Sequence, residues 1–546
     1  MTYVTAPVLA SLRAALLAML LAALISTRGA AQDHAQHAGT DERLGTVHFS
    51  TSCRPEVAQR FDRAVALLHS FEFRAAIRGF DDILTTDSTC AMAHWGLALS
   101  RWTNPTAPTN RPPALLARGR LAIDAAGRLA ATPRERAYIA AVAQLYADYE
   151  HVDQRMRVLA YERTMADLVG RFPADTEAKI FYALSLVAAA PPTDKSYTRQ
   201  LRAGALLESL WVAQPNHPGL AHYIIHSYDV PALAPQAAAA ARRYAEIAPA
   251  AAHALHMPSH TFTRLGQWEP SVRANRLSAE AALRDSSLAE LLHASDYLVY
   301  AYLQTRHDSG AKAVLDGLPV LAARFDPGAV TGAAPGWAGV FALAAIPARY
   351  ALERRAWTEA ASLPPVSSAF PYTEAMTYFA RALGAAHLGH VPEARAAADS
   401  LTVIRARLLA SAEPYWAEQV AIQALIARGW LALAEGRTAD ALAQMREAAA
   451  REDATEKSAV TPGPLAPARE LLGDLLMALG RPADALAEYR RTIAKEPGRF
   501  RSVDGAQKAA LAGGDGAAAA RYAVDLQTLV GTEMTSAPAS RHLPEH

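Results

Sequence analysis

Cysteine, aromatic residues and an excess of charge of either sign are all scarce in this chain of 546 residues. Aromatic residues make up only 7%, which suits helices packed through small side chains better than β-sheets. Lys and Arg number 54 against 53 Asp and Glu, so the chain lacks the broad field that attracts nucleic acid or acidic membranes. We therefore predict no nucleic-acid partner.

Several catalytic sequence patterns are also missing. The sequence contains neither H-E-x-x-H nor G-x-S-x-G, and it has no P-loop. These absences weigh against the usual metalloprotease, serine hydrolase and nucleotide-binding enzymes.

The only two cysteines are Cys53 and Cys90. In an oxidising compartment such a pair more often forms a disulfide than a reactive thiol. We predict a disulfide that fastens the first repeat, and we assign it no catalytic role.

The N-terminus has the features of an export leader. Arg13 precedes an apolar run from Ala14 to Ile25, and small residues follow at 29–31. The run has about 12 residues, whereas a membrane-spanning helix needs roughly 20. We predict a signal peptide at residues 1–31, cut near Ala31, and a periplasmic or secreted protein without a stable membrane span after cleavage. An uncleaved membrane anchor is the alternative.

Helical periodicity dominates most of the remaining chain. Residues 32–46 are polar and predict a flexible arm. Residues 47–531 predict an all-α, TPR-like α-solenoid, that is, a superhelix of helix-turn-helix repeats. Residues 532–546 predict a disordered tail.

The repeat unit matches the 34-residue tetratricopeptide (TPR) pattern. This pattern needs small residues where two helices touch, an aromatic residue on the second helix and Pro at the exit. Within the C-terminal units at 375–525 these places are taken by Leu472, Gly473, Ala485, Tyr489 and Pro497. The preceding unit has Gly429, Ala441 and Ala448, and the first unit has Ala64, Ala76 and Phe80. Because one repeat cannot bury its own apolar face, neighbouring repeats must stack.

Histidine is concentrated in the repeats at 217–305. His222 and His226 are four residues apart, as are His256 and His260, and the second pair follows the first by one repeat of 34 residues. Residues four apart share a helix face, and residues one repeat apart occupy equivalent places on neighbouring helices. The spacing therefore predicts that four imidazoles converge on one patch. Pro258 is a complication, because it can begin a new helix and shift the register.

Other polar residues of this region are candidates to join the four histidines. Asp229 and His253 are candidate catalytic bases, or groups that orient an imidazole through a hydrogen bond. The candidates for a ligand-binding groove are His217, Tyr223, His293, Asp296 and Tyr297. A Pro- and Gly-rich interruption at 325–337 is placed to cover the hollow surface.

The chemistry of this cluster leaves three hypotheses open. Imidazoles with a carboxylate are the usual ligands of Zn, Fe, Mn or Cu. The leading hypothesis is binding of a protein, peptide or small molecule on a concave surface whose His-rich centre holds a divalent transition metal or none. The second is a metal-dependent hydrolase or oxidoreductase that uses His222, His226, His256 and His260. The third is a plain protein–protein interaction scaffold.

Parts of the chain resemble a group of exported bacterial TPR-repeat proteins. The resemblance is carried by Phe61-Asp-Arg-Ala-Val-Ala-Leu-Leu-His-Ser-Phe, Cys90-Ala-Met-Ala-His-Trp-Gly and the stretches 217–229, 253–268, 296–304 and 452–463. It implies the TPR fold, export, and a position of His222 and His226 on the concave groove. The group has a His where this chain has Ser458, so Ser458 is not counted as a ligand. The resemblance implies no particular activity.

Overall fold

Alanine-rich stretches separated by Pro, Gly and Asp form α-helices throughout the part of the chain that the structure describes. The computed structural model describes residues 42–107, 110–330 and 332–531, and these ranges contain helices but no β-strand. The predicted signal peptide at 1–31, most of the predicted arm and the predicted tail at 532–546 lie outside the described residues.

The helices follow one another through short connections. The first fourteen are α1 Ala58–His69, α2 Phe73–Thr86, α3 Ala91–Trp102, α4 Pro113–Leu129, α5 Pro133–Tyr146, α6 Gln154–Arg171, α7 Thr176–Ala189, α8 Thr198–Trp211, α9 Pro218–Ser227, α10 Ala238–Ile247, α11 Ala252–His256, α12 Pro258–Arg264, α13 Trp268–Arg284 and α14 Leu288–Gln304. The others are α15 Asp308–Arg324, α16 Gly336–Glu353, α17 Trp357–Ser362, α18 Pro371–His387, α19 Val391–Ala410, α20 Pro414–Ala434, α21 Thr438–Asp453, α22 Ala468–Ala478, α23 Pro482–Lys495, α24 Phe500–Ala512 and α25 Gly516–Gly531. Short 3₁₀ turns span Pro55–Val57 and Ala234–Ala237.

The small residues of the repeat pattern lie where helices approach most closely. The ring of Tyr489 on α23 fills the space beside Gly473 on α22 and Gly505 on α24, and a Cβ at Gly505 would lie 2.5 Å from that ring. The ring of Phe80 on α2 takes the equivalent place beside Gly96. Consecutive helices pack against each other along the chain in this way. The fold is an all-α, TPR-like α-solenoid, so the predicted fold class is confirmed.

The first described residues pack against the solenoid. Leu44 is only 6% exposed, and the Thr46 amide donates a 2.9 Å hydrogen bond to the Asn216 carbonyl. Gly45 has φ +83°, and a Cβ there would lie 2.6 Å from the Asn216 carbonyl oxygen. Residues 44–46, which the sequence placed in a flexible arm, are therefore ordered against the start of α9.

The predicted disulfide joins Cys53 to Cys90, 37 positions apart. Cys90 is the residue before α3, so the bridge ties the entry segment to the third helix. This prediction is confirmed. Among the helices of the described ranges, none is both long and apolar enough to cross a membrane.

Candidate metal centre

Six histidines from four helices meet in one buried cluster. Two come from α9, three from the short helices α11 and α12, and one from α14. None is more than 6% exposed. We call this cluster the histidine chamber, and its members are His222, His226, His253, His256, His260 and His293.

The four histidines singled out by their spacing all lie in the chamber. The ring centroids of His222 and His226 are 4.8 Å apart, and those of His256 and His260 are 4.9 Å apart. Pro258 begins a new helix, α12, between His256 and His260. The two rings nevertheless remain in contact. Each pair gains a third histidine, His253 in the first case and His293 in the second, and the sequence analysis had named both as candidates to join the four.

The first triad consists of His222, His226 and His253, each of which offers one ring nitrogen within 4.8 Å of the other two. The Nδ1 atom of His222 lies 2.6 Å from the His69 carbonyl oxygen. A carbonyl only accepts, so Nδ1 carries the proton and Nε2 carries a bare lone pair. The Nδ1 atom of His253 lies within hydrogen-bond distance, 3.1 Å, of Oε1 of Glu290. The three Nε2 atoms are buried and have no hydrogen-bond partner among the described residues.

The second triad consists of His256, His260 and His293, with donor atoms at the same mutual spacing. The Nδ1 atom of His256 lies 2.7 Å from the Asn275 side-chain oxygen. The orientation of that amide is fixed because its nitrogen donates to the Ser271 carbonyl at 2.8 Å. Both Nε2 of His256 and Nδ1 of His293 point inward, and Nδ1 of His293 has no partner within the described ranges.

His260 is held by the carboxylate of Asp229, whose oxygen lies 2.9 Å from Nδ1. Burial alone would raise the pKa of Asp229, but the positive charges of Lys457 and Arg264 hold that pKa well below its usual range. The carboxylate therefore accepts, and Nε2 of His260 carries a lone pair.

Two lone pairs consequently face each other, because Nε2 of His256 lies 3.0 Å from Nε2 of His260. A shared proton would relieve the repulsion, but burial and the neighbouring His293 and His260 lower the pKa of His256 well below its usual range. Burial lowers the pKa of His260 too, although Asp229 opposes the effect. At neutral pH the arrangement suits a metal cation better than a proton.

The two triads adjoin each other. Ring centroids are 6.3 Å apart between His226 and His260 and 5.9 Å apart between His253 and His256. Each triad has its own aromatic neighbour. The ring of Phe71 lies 4.4, 5.6 and 5.7 Å from those of the first triad, and the ring of Tyr297 lies 4.9, 4.8 and 5.4 Å from those of the second.

A narrow pocket borders the chamber. Its wall includes four residues of the chamber and one methionine: His226, His253, His260, His293 and Met257. The rest of the wall comes from three separate segments: Asn104, Thr106 and Ala107; Ala333 to Ala338; and Ser458 to Val460. The second segment includes the end of the Pro- and Gly-rich interruption that the sequence placed over the hollow.

A larger pocket lies on the other side of the segment 457–461. Lys457 and Thr461 line it, together with aromatic side chains that include Tyr415 and Trp416. Burial lowers the pKa of Lys457 to about 8, although Asp229 at 3.4 Å opposes the shift. The segment 457–461 thus separates the two pockets.

Three of the predicted groove residues lie outside the chamber. His217 precedes α9 and binds Glu177 at 2.9 Å. The Tyr223 hydroxyl is 3.0 Å from Nδ1 of His69, since one helical position turns it away from His222. Asp296 accepts a 3.1 Å hydrogen bond from Arg349. All three are buried, and none of them lines either of the two pockets. Their role in a ligand-binding groove stays a prediction.

A third cluster has similar spacing but different chemistry. His69, Glu177 and His217 also bring donor atoms within 4.8 Å of one another. Both carboxylate oxygens of Glu177 are already hydrogen-bonded, each 2.9 Å from an imidazole nitrogen of His69 or His217. Although burial opposes the shift, these two histidines lower the pKa of Glu177 to about 2. Both oxygens of Glu177 are thus occupied by imidazoles, and the cluster supports His222 through the His69 carbonyl.

Sequence reasoning missed the groups that orient the chamber. Asn275 and Glu290 carry no special spacing in the sequence, and Glu72 comes from a distant helix end. Glu72 approaches the His253 amide at 3.4 Å, and burial together with Glu290 raises its pKa to about 8. Tertiary packing brings these partners to the chamber, so no local sequence pattern predicts them.

No family model and no curated protein matches the sequence. Among solved structures, the chain is similar to a human IFIT1 dimer with PPP-AAAA, at 10% identity and a TM-score of 0.36, covering 88% of this chain and 96% of that one. A human IFIT1 dimer with m7Gppp-AAAA is similar at 11% identity and a TM-score of 0.36, covering 80% and 90% of the two chains. Values this low support no inference about what this chain binds.

Proposed function

We propose that this chain binds two transition-metal ions, one in each histidine triad, and that the loaded chamber acts as a metal-dependent enzyme on a small molecule. The observation that carries the proposal is the pattern of free nitrogens. In the first triad the three Nε2 atoms have no partner in the described part of the chain. In the second triad Nδ1 of His293 has none there, and the Nε2 atoms of His256 and His260 lie against each other at 3.0 Å. The outer nitrogens are held by His69, Glu290, Asn275 and Asp229. Metal-binding imidazoles are oriented in this way in proteins generally.

Three imidazoles leave coordination positions open for water or substrate. An ion held in this way activates water or polarises a carbonyl, which suits a hydrolase, or changes oxidation state, which suits an oxidoreductase. Zinc, iron and copper fit imidazole ligands better than manganese does, since manganese prefers oxygen. The pocket beside Met257 and Ser458 is the route we assign to the substrate.

Metal content measured on purified protein tests the proposal. We expect two ions per chain after incubation with zinc, iron or copper and removal of loosely bound metal. His222→Asn keeps an amide N–H where Nδ1 binds the His69 carbonyl and removes Nε2, so this variant should lose one ion. His293→Gln removes Nδ1 from the second triad and should do the same.

The matched control is His387→Asn. His387 is a partly buried histidine far along the chain from the chamber, and its ring centroid lies 3.8 Å from that of Trp357, on which it stacks. This variant should keep both ions. Protein that stays free of metal under every loading condition would overturn the proposal and leave the plain scaffold hypothesis, for which a protein partner should co-purify.

The larger pocket supports a second function, binding of a small molecule with amide-like polar groups. Nε2 of Gln419 and Oε1 of Gln423 are buried there without a partner among the described residues. Aromatic side chains line the same pocket. A ligand with a donor, an acceptor and a flat apolar face would satisfy both amides. The test compares how far such a ligand raises the melting temperature of the wild type and of Gln423→Leu. A smaller rise in the variant, with metal content unchanged, would support this second function. An equal rise in both proteins would exclude it.

We also propose that the protein is exported through the leader at 1–31. The disulfide between Cys53 and Cys90 supports an oxidising compartment. N-terminal sequencing of the protein from cells that secrete it should find a start near Gln32, and an intact leader would contradict export by cleavage.

A further inference from the structure

We infer that the two triads hold a pair of copper ions that bind dioxygen between them. This inference rests on the proposed metal-binding function. It is carried by six neutral nitrogen ligands in two adjoining sets of three, with a thioether in the same wall and no carboxylate among the inward-facing groups.

Charge is the first argument for copper. All six inward-facing ligands are neutral, so two divalent ions would bring four positive charges into a buried chamber, whereas two cuprous ions bring two. Burying charge without compensation is costly. Beside the second triad the carboxylate of Asp229 gives little compensation, because Arg264 at 3.0 Å and Lys457 at 3.4 Å already balance it. Beside the first triad the carboxyl group of Glu290, 3.1 Å from Nδ1 of His253, can offset at most one of the added charges. The chamber therefore favours the ion of lower charge.

The second argument is the softness of the ligands. Imidazole binds copper in both of its common oxidation states, and thioethers select cuprous copper. Met257 is fully buried and lines the narrow pocket beside the chamber together with His253 and His260. Manganese or magnesium would instead need oxygen ligands.

The third argument is the pairing of the sites. The centroids of the imidazole rings that join the triads are 5.9 and 6.3 Å apart, which makes the two sites direct neighbours. We place one diatomic molecule between the two ions. Each three-coordinate cuprous ion has an open position. On binding, each ion transfers one electron to dioxygen, which gives two cupric ions bridged by peroxide. Electrons balance without a further reductant, and release of dioxygen reverses the step.

The environment suits this chemistry. Phe71 covers the first triad and Tyr297 covers the second, and each ring contacts all three imidazoles of its set. These aromatic walls limit the access of water, which would otherwise hydrolyse a bridged oxygen ligand. The narrow pocket lined by Trp337 and Ala338 is the route that we assign to dioxygen.

The test uses the full-length protein loaded with cuprous copper under argon. We expect two copper ions per chain, and a near-ultraviolet absorption band that appears on addition of dioxygen and disappears under vacuum. The oxygenated sample should give no copper signal in electron paramagnetic resonance, because two bridged cupric ions couple their spins. His253→Asn, which keeps one triad intact, should bind one copper, lose the band and show the signal of an isolated cupric ion.

The outcomes separate this inference from the proposed function. Two coppers per chain with no band, and with signals of isolated cupric ions after oxidation, would overturn the dioxygen site while metal binding stands. Binding of zinc with copper excluded would do the same. Failure of every metal to bind would overturn both. His387→Asn serves again as the control and should retain the band in full.

Discussion

Tyr297 lies against the second histidine triad as Phe71 lies against the first, but only Tyr297 carries a hydroxyl. That hydroxyl lies 3.1 Å from the Ala459 carbonyl and 3.0 Å from the Thr461 carbonyl. It therefore fastens the segment 457–461, which separates the two pockets, to the wall of the chamber.

Tyr297→Phe should loosen that segment. The hydroxyl also lies 3.3 Å from Nδ1 of His260, and that nitrogen keeps its 2.9 Å contact with Asp229 in the variant. The ring contacts remain, while one buried hydrogen bond is lost, so the free energy of unfolding should fall by about 1 kcal/mol. Amide hydrogen exchange should rise in 457–461 and remain unchanged in α9. Unchanged exchange in this segment would show that the hydroxyl does not hold it.

Asn275 should control metal affinity without touching the metal. Replacing it by Leu leaves the Nδ1 proton of His256 without its acceptor at 2.7 Å. Metal affinity should fall about 10- to 100-fold, as it does when an orienting partner is lost. Isothermal titration with zinc or copper measures the effect. Asn275→Asp, which keeps an acceptor oxygen, is the matched control; equal losses in both variants would contradict an orienting role.

The metal-free protein should become less stable as the pH falls. Burial is the main cause that holds four pKa values well below the usual 6.5, those of His222, His226, His256 and His293. The unfolded chain then binds more protons than the folded one once the pH drops below about 6.5. Stability from these groups is complete above that pH and is lost on acidification.

Two carboxyl groups act in the opposite direction. Burial is the main cause that raises the pKa of Glu72 to about 8 and that of Glu452 to about 7, so their contribution to stability fades as the pH rises.

A comparison of variants separates the effect of the histidines from that of these carboxyl groups. In urea unfolding from pH 6.5 to 5 with a chelator present, His222→Asn should show a slope shallower than wild type by up to about 1.4 kcal/mol per pH unit. Identical slopes would show that His222 does not titrate on unfolding.

The sequence predicted the fold well because the repeat pattern is steric and local. Tyr489 and Gly473 are 16 positions apart and meet as the TPR pattern requires. The pairs of histidines were visible for the same reason, since helix and repeat periods fix them. The third member of each triad depends on the break at Pro258 and on the packing of α14, which neither period encodes. The contact of His217 with Glu177 was not predicted, because His217 precedes its helix and its partner lies on another one.

The packing of Tyr489 gives the sharpest test of the fold. Gly505→Ala would place a Cβ 2.5 Å from that ring, and the ring cannot easily yield because its hydroxyl donates to Asp474 at 2.6 Å. We expect a loss of about 1–3 kcal/mol in the free energy of unfolding, which is usual for an overpacked core.

Gly127→Ala, in α4, is the matched control. A Cβ there meets no atom of the described structure within 4 Å. Because Ala is a better helix former than Gly, this variant should gain up to about 1 kcal/mol. Thermal unfolding of the two variants should therefore shift in opposite directions, and shifts of the same sign would show that α22, α23 and α24 do not pack through this ring.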